Sequence, residues 1–357
     1  MKVCILGSGL TSLSLAKTLV QLGIQVDIFS KRKKKNFNKV QTLGISKSNI
    51  EFFNKNILNI NKQLWNINEI EIYSENLKNE KILKFGSKNQ KLFFTIKNSE
   101  LFNNLFVQLN KNKLVKFKNN FNYHNFKKDD YKLIFNCENN NLISKKFFYK
   151  KLNKNYNSSA FTTIIKHKKI LNNFVASQIF TKIGPIAFLP LSETETSVVY
   201  SVKSKQKIDL NNLIKKYNTK YEIHRIENSI IFDLKSSSLR FYYHENILAF
   251  GDLLHRLHPL AGQGFNMSIR DIKEIYTLVK LKIDNGLDLD KSILSDFENI
   301  TRHKNFLFSN GIDFIYEIFN FENKINNNIF SRSIKFFGNN KIVNKFFTKY
   351  ADNGIVI

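Results

Sequence analysis

The stretch FGDLLHRLHPLAGQGFNMSIRD, residues 250–271, gathers side chains that could do chemistry. It holds the Asp252 carboxylate, His255 and His258 three residues apart, one of the chain's three prolines and three of its thirteen glycines. Most of the remaining sequence is rich in Lys, Asn, Ile and Phe. Three kinds of site compete to explain the mixture: a metal centre, a loop that caps a helix, and a cradle for a cofactor.

The residue types disfavour a metal centre. Pro259 and the glycines around it oppose the helix that would place both histidines on one face, and no Glu or Cys completes a ligand set. A helix that begins near Gly264 is better supported. Its first N–H groups, at 263–266, would have no partner within the helix and would favour an anion. Asp252, at the end of a predicted strand, could accept hydrogen bonds from a polyol.

A second candidate site is GSGLTS at residues 7–12, a G-x-G-x-x-S form of the dinucleotide fingerprint. Gly7 would allow the tight turn after a strand, and Gly9 would let a pyrophosphate approach the backbone at a helix N-terminus. Ser12 is small enough for close helix–strand packing. The loop follows a predicted strand and opens a helix at Leu10, which is the context this weak motif requires. The alternative is a plain turn between strand and helix.

The acidic residue that usually ends the second strand of such a unit, and there binds the adenosine ribose, is replaced by Ser30. Ser30 can still make one weaker hydrogen bond. Basic residues follow at 31–35, but Lys is common throughout the chain, so they are weak grounds for a 2′-phosphate site.

These candidate sites require a scaffold, and the sequence predicts one of α/β type. Residues 2–29 predict a β-α-β unit: a buried strand, a helix stopped by Gly23, and a second strand. Four strand-like runs within 159–202 predict an antiparallel sheet in a second lobe. One helix is predicted after Ser46 or Ser48, and another with Ser99 as its N-cap. No linker rich in Pro, Gly or Ser separates the lobes, so they are expected to be interleaved.

Bulk composition narrows the function classes. The net charge of +27 suggests by default nucleic acid or an anionic membrane, but Lys is spread evenly and no nucleic-acid module is recognisable. Two cysteines give no disulfide framework and fit a reducing cytoplasm. No apolar run approaches the ~20 residues that a membrane-spanning helix needs.

Residues 251–271 resemble the G-D-x-x-H-x-x-H-P-x-x-G-Q-G-x-N-x-x-x-x-D motif of FAD-dependent aromatic-ring hydroxylases, most closely the ubiquinone-biosynthesis branch. About ten positions match in order, so this motif is far more specific than the glycine loop. Residues 176–191, ASQIFTKIGPIAFLPL, are similar to that branch's A-x-x-F-x-x-x-G-P-x-A-x-L-P-L segment, and residues 297–319 to its C-terminal helical region.

The resemblance implies a Rossmann-like FAD-binding domain interleaved with a smaller antiparallel β-sheet substrate domain, followed by C-terminal helices. The implied bounds are 1–68, 97–150 and 241–285 for the FAD-binding domain, 69–96 and 151–240 for the substrate domain, and 286–357 for the C-terminal helical region.

Residue roles carry over by position. Asp252 would bind the ribityl chain of FAD, Pro259 would lie beside the isoalloxazine, and the backbone of 262–266 would face the flavin pyrimidine edge. The expected cofactor contacts are Gly7, Gly9, Leu10, Ser12, Ser30, Gln41, Asp252, Pro259, Gly262, Gln263, Gly264, Phe265 and Asn266. Pro185, Phe188 and Pro190 are expected to line the substrate pocket. No catalytic side chain is expected, because the flavin performs the difficult step, and a structural role is favoured for His255 and His258.

The implied function is hydroxylation of a polyprenylated phenol in ubiquinone biosynthesis. In this family NAD(P)H reduces FAD, and O2 then forms a flavin C4a-hydroperoxide that hydroxylates the ring. The expected partners are the prenylated phenol, O2 and a ubiquinone-biosynthesis complex, with no nucleic acid. The expected location is cytoplasmic with peripheral contact at the inner face of the membrane. Residues 333–350, which mix Phe pairs with Lys, would either lie at that interface or pack on the core.

The sequence departs from the family at three places. Ser30 replaces the ribose-binding acid, Gln41 stands where the family has an Arg that reaches FAD, and NCENNNLIS at 136–144 replaces its A-D-G-x-x-S motif. In that segment the altered positions are Cys137, Glu138, Asn139 and Ser144. The loss of these polar anchors leaves an alternative open, a drifted non-catalytic flavoprotein or scaffold subunit of the same pathway.

Overall fold

The structure is a computed structural model, and it describes the greater part of the chain. The described residues are 1–30, 40–119, 126–203, 209–257 and 263–325, together with Ser331, Arg332, Lys335 and Asp352. The predictions made for residues 31–35, His258, Pro259 and Gly262 concern positions outside the described residues. Of the segment 333–350, only Lys335 is described.

The chain opens with the predicted β-α-β unit. Strands β1 (Lys2–Leu6) and β2 (Gln25–Ser30) pair in parallel, and helix α1 (Leu10–Gln21) connects them. The helix ends as expected, because Gly23 takes a φ of +77° that suits glycine just past a helix C-terminus.

Four more strands complete a six-stranded sheet: β8 (Val115–Asn119), β9 (Leu133–Asn136), β16 (Tyr243–His244) and β17 (Ile247–Ala249). The order is β16-β17-β9-β1-β2-β8, and every pair is parallel except β16 with β17. The chain runs outward from β1 through β2 to β8, and returns to the other side of β1 with β9. Doubly wound sheets bind ligands at the crevice where the strand order reverses, which here lies between β1 and β9.

A larger sheet contains nine strands. They are β5 (Glu69–Ser74), β6 (Glu80–Gly86), β10 (Lys151–His167), β11 (Val175–Phe180), β12 (Pro185–Pro190), β13 (Glu195–Val202), β14 (Ile223–Ile226), β15 (Ile230–Leu239) and β18 (His255–Arg256). Their order is β18-β15-β10-β13-β12-β11-β5-β6, and β14 pairs with β10. The predicted runs β10, β13, β12 and β11 are antiparallel neighbours, as expected.

The other elements surround these sheets. A three-stranded sheet is formed by β3 (Thr42–Ser46), β7 (Phe93–Lys97) and β4 (Trp65–Ile67). The helices are α2 (Lys47–Asn56), α3 (Asn98–Asn110), α4 (Leu142–Phe147), α5 (Leu210–Tyr217), α6 (Gln263–Asp284) and α7 (Ser292–Ile325). The predicted fold class, parallel and antiparallel sheets in one α/β chain with helices towards the C-terminus, is confirmed.

The starts of helices α2 and α3 differ in detail from the sequence-based predictions. Ser46 is the N-cap of α2, but the Asp352 carboxylate, rather than a serine side chain, accepts a hydrogen bond from the Ser48 N–H at 3.0 Å. The prediction that Ser99 caps α3 is wrong, because the N-cap is Lys97 and Ser99 lies inside the first turn. Strand β7 runs directly into this helix, so α3 starts two residues before the predicted position.

Two separate core clusters show which elements cover the faces of the nine-stranded sheet. One cluster joins Phe180 to Met267 of α6 and Phe308 of α7. The other joins Phe188 and Tyr200 to the helix α5. One face of the sheet is therefore covered by α6 and α7, and the opposite face is covered by α5.

Candidate flavin-binding site

The glycine loop lies at the carboxyl end of β1, beside the crevice between β1 and β9. Gly7 takes a φ of +113°, a conformation that L-residues rarely adopt, and its N–H donates to Phe29 O at 2.8 Å. A Cβ built on Gly7 would lie 3.1 Å from Glu138 Cγ and 3.4 Å from Cys137 Cβ. Both the backbone conformation and the close approach of β9 therefore require glycine at this position.

Helix α1 begins immediately after this loop, with Gly9 as its N-cap. Gly9 has no side chain that could cap this end, and the helix begins at the carboxyl end of β1, so the backbone N–H groups of its first turn lie at that edge of the sheet. Leu10 and Ser12 are both buried, which is consistent with a packing role behind the loop. The geometry is that of an anion site made from backbone.

Ser30 ends β2 beside the loop, where the predicted ribose contact would be. Its hydroxyl lies 2.7 Å from the Ser8 hydroxyl, so the two chain segments are joined by a hydrogen bond at this edge. Gln41 contacts Asn98: its carbonyl accepts from the Asn98 N–H at 2.9 Å, and its side-chain oxygen accepts from Asn98 Nδ2 at 3.4 Å. Gln41 thus contacts the start of α3.

The segment after β9 lies against Gly7 at the crevice, although its sequence differs from the A-D-G-x-x-S motif. Asn136, Asn141 and Ser144 form a buried network, in which Asn136 Nδ2 donates to Ser144 Oγ at 2.9 Å and the Ser144 N–H donates to Asn141 Oδ1 at 2.8 Å. This network fixes the turn that carries Cys137 and Glu138. Burial raises the pKa of the Cys137 thiol to about 12, which keeps it neutral at physiological pH.

The Asp252 turn meets the glycine loop in space, although about 240 residues separate them in sequence. Asp252 is exposed, in a short 3-10 helix of Gly251–Leu253 that follows β17. Gly251 has a φ of +60°, and a Cβ there would lie 3.0 Å from Thr11 Cγ2 in the first turn of α1. The Asp252 carbonyl accepts from Asn139 Nδ2 at 3.4 Å. The carboxylate therefore sits at the same edge as the predicted pyrophosphate site.

Helix α6 begins at Gln263, one residue before the predicted start. Gly264 is exposed, and a Cβ there would meet no atom of the described residues within 4 Å. Gln263 Oε1 is buried and has no partner among the described residues. Phe265 is buried and packs edge-on against Phe53 at 6.5 Å. The first N–H groups of a helix attract an anionic group.

The Asn266 side chain is fully occupied by contacts to β3 and α2. Its Nδ2 donates to Gly44 O at 2.8 Å, while its Oδ1 accepts from the Ser46 N–H and from Asn49 Nδ2, both at 2.9 Å. At 1% exposure this amide holds α6 in place, so only its backbone remains to face a cofactor.

The three residues expected to line the substrate pocket lie on two faces of the nine-stranded sheet. Phe188 is buried in the cluster with α5, 6.1 Å from the Tyr221 ring, on the sheet face opposite to α6. Because side chains alternate along a strand, Pro190 shares that face, and Pro185 lies on the face toward α6. Only Pro185 of the three is therefore on the side where α6 begins.

His255 is buried and lies in β18. Its Nε2 contacts the Asp271 carboxylate, the last position of the 251–271 motif, in a buried pair. Sequence reasoning did not assign Asp271 a role, because its partner lies sixteen residues away on another element.

These residues fit FAD. Two glycines border the crevice at points where a Cβ would crowd its neighbours, an exposed carboxylate stands at the same edge, and the first described residues of α6 include the exposed Gly264. FAD contains a pyrophosphate, a polyol and a ring that becomes anionic on reduction. These parts match the start of α1, the Asp252 carboxylate and the start of α6, respectively.

Sequence comparison agrees with the motif. The chain is 24% identical over 209 residues to the mitochondrial ubiquinone biosynthesis monooxygenase COQ6 of Danio rerio, covering 46% of this chain and 43% of that protein. It is 26% identical over 195 residues to the human COQ6, covering 42% of each, and 26% identical over 149 residues to Escherichia coli 3-demethoxyubiquinol 3-hydroxylase, covering 39% and 38%. The match thus spans less than half the length of these curated relatives. No protein-family model matches the chain.

Comparison with solved structures concerns the fold. The p-nitrophenol 4-monooxygenase PnpA of Pseudomonas putida superposes with a TM-score of 0.78 at 12% identity, covering 99% of this chain and 98% of that one. Klebsiella pneumoniae HpxO, complexed with FAD and uric acid, gives 0.77 at 11% identity, covering 99% and 97%. The chain is thus similar in sequence to ubiquinone-biosynthesis monooxygenases, as the motif predicted, and it has the fold of FAD-dependent monooxygenases.

Proposed function

We propose that this chain is an FAD-dependent monooxygenase that hydroxylates a polyprenylated phenol in ubiquinone biosynthesis, with NAD(P)H as reductant and O2 as co-substrate. The observation that carries the proposal is how closely Gly251 approaches Thr11: a Cβ built on this glycine would lie 3.0 Å from Thr11 Cγ2, so the Asp252 turn lies beside the glycine loop at the β1–β9 crevice. Names of the sequence relatives supply the reaction and the pathway.

Different residues of the chain would bind different parts of the cofactor. Backbone N–H groups at the start of α1 would bind the pyrophosphate, with Gly7 and Gly9 allowing its approach. Asp252 would accept hydrogen bonds from the ribityl hydroxyls. The N-terminus of α6 would favour negative charge at the pyrimidine edge, since a helix N-terminus carries partial positive charge. Bound FAD would supply the redox and oxygen chemistry, which no side chain of the protein can provide.

The proposal is tested first by the visible absorption spectrum. Purified protein, as isolated or after incubation with FAD, should show flavin bands and should oxidise NAD(P)H faster when a prenylated phenol is added. A colourless protein that takes up no FAD would refute the proposal and would favour a scaffold role.

A substitution of Asp252 tests its proposed role in binding FAD. Asp252→Ala should weaken FAD binding about ten- to a hundredfold, because hydrogen bonds to a charged group contribute about 1.5–3 kcal/mol. Asp233→Ala removes another exposed carboxylate, on β15, and should bind FAD as wild type does. Equal FAD affinity in both variants would show that Asp252 does not hold the ribityl chain.

Several finer points belong to the same proposal. They are the domain bounds given above, the roles of the individual site residues, peripheral contact with the membrane from the cytoplasmic side, and membership of a ubiquinone-biosynthesis complex. Among the described residues, no helix combines the length and the apolar character needed to cross a bilayer. A prenylated substrate is insoluble in water, which supports contact with a membrane surface.

A further inference from the structure

Helix α6 is held by buried polar contacts at two points, the first of which is Asn266 in its first turn. The other lies further along the helix, where Asp271 contacts His255. His255 and Asp271 are 3% and 1% exposed, so neither side chain is hydrated. Asp271 Oδ2 contacts His255 Nε2, and Asp271 Oδ1 accepts from Asn305 Nδ2 at 3.2 Å.

This buried pair joins three elements. His255 lies in β18, where it pairs with Ser238 of the nine-stranded sheet, while Asp271 belongs to α6 and Asn305 to α7. His255 also follows Asp252 by only three residues. The pair therefore fixes α6 relative to the turn that carries Asp252.

A buried polar pair of this kind constrains geometry, because each group, once buried, must keep a hydrogen-bond partner. The pair therefore holds β18, α6 and α7 in one arrangement. Here the geometry concerns the two ends of the proposed flavin site, the Asp252 turn and the first turn of α6. The electrostatic effect of a helix N-terminus falls off beyond its first turn, so it depends strongly on where that turn lies.

We propose that His255 and Asp271 are positioning residues that hold the N-terminus of α6 against the flavin pyrimidine edge, and so stabilise the reduced flavin over the oxidised flavin. The inference rests on the proposed FAD function. It assigns the pair a role in the cofactor's reduction potential, separate from the binding of the pyrophosphate at the glycine loop.

The test is the reduction potential of the bound flavin, measured by equilibration with a reference dye. His255→Asn, Asp271→Asn and the milder Asn305→Ala should bind reduced flavin less tightly relative to oxidised flavin. For the two direct partners we expect about a tenfold change, which for a two-electron couple is about 30 mV toward more negative potential. Asn305→Ala should give a smaller change of the same sign.

Tyr131→Phe is the matched control. It removes a buried hydrogen bond of 2.7 Å to Asp27, at the amino-terminal end of β9 and away from the flavin site. It should lower thermal stability and leave the potential unchanged. A purely structural role for the His255–Asp271 pair predicts the same pattern for its variants, lower stability with an unchanged potential, and that result would overturn the inference.

Two outcomes separate this inference from the proposed function. Wild-type protein that binds no FAD would refute the function itself. If wild type binds FAD and the Asn305→Ala variant folds with an unshifted potential, the function stands and the positioning role fails. Asn305→Ala keeps both His255 and Asp271, so it remains informative if the other variants do not fold.

Discussion

Replacement of Gly7 by alanine is the sharpest test of the glycine loop. At φ +113° an alanine would occupy a strained backbone region, at a cost of about 1–3 kcal/mol. Its Cβ would lie 3.1 Å from Glu138 Cγ. Either the turn after β9, which carries Glu138, or the glycine loop must therefore move by a few tenths of an ångström. The loop can relieve the strain only by giving up its own geometry, including the 2.8 Å bond to Phe29 O.

Gly23→Ala separates backbone strain from cofactor binding. Gly23 also has a positive φ, +77°, but a Cβ there meets no described atom within 4 Å, and the residue lies at the far end of α1. The left-handed conformation should cost about 1–2 kcal/mol in this variant as well. Both variants should therefore unfold at lower urea concentration than wild type, and Gly7→Ala by at least as much as Gly23→Ala.

Only Gly7→Ala should lose affinity for FAD. A displaced loop that no longer presents its N–H groups should bind FAD at least tenfold more weakly, which corresponds to about 1.4 kcal/mol. Titration of FAD fluorescence measures this, and urea unfolding of the apoprotein measures the strain. If Gly7→Ala is destabilised but binds FAD as tightly as Gly23→Ala does, the loop does not bind the pyrophosphate and the reasoning is wrong.

Three individual side chains give further tests. Cys137, whose pKa burial raises to about 12, should react with a thiol reagent at pH 8 far more slowly in folded than in urea-unfolded protein. Burial acts to raise the pKa of Asp27, but hydrogen bonds from Lys118 and Tyr131 outweigh it and hold the pKa below 3.8. Its contribution to stability is therefore complete above pH 3.8 and lost as the pH falls below it, so the deficit of Asp27→Asn in unfolding free energy should shrink in acid. Phe188→Ala should cost about 3–5 kcal/mol of stability and leave the spectrum of bound flavin unchanged, because the ring packs on the α5 face.

Local features of the fold were predictable from the sequence because their causes are local. The β-α-β unit follows from hydrophobic spacing, and Gly23 marks the end of its helix. The start of α3 was misplaced by two residues, because Lys97 is both the last residue of β7 and the helix N-cap, and no side-chain cap marks it. Strand pairing determined that boundary, and pairing depends on residues far away in sequence.

The roles of individual site residues were harder to predict for the same reason. The motif points to Asn266, but its amide binds Gly44 and Ser46, more than two hundred residues earlier in the chain. Alternation along β12 shows that Phe188 and Pro185 lie on opposite faces. It does not show which face is covered by α6, which only the packing of α5 and α6 decides.

Two positions of the proposed site depend on backbone conformation, and two others carry side chains that differ from the resembled motifs. Gly7 and Gly251 take positive φ values against packed neighbours, whereas Ser30 and Gln41 stand where charged anchors are expected. Replacing a side chain such as that of Ser30 alters its hydrogen bonds, including the one to Ser8, without forcing the backbone to change. Replacing Gly7 or Gly251 strains the backbone and also crowds a neighbouring segment, because a Cβ would lie 3.1 Å from Glu138 Cγ or 3.0 Å from Thr11 Cγ2. In the proposed site, the altered anchors would therefore change how tightly FAD is held, while the backbone at Gly7 and Gly251 would determine where it lies.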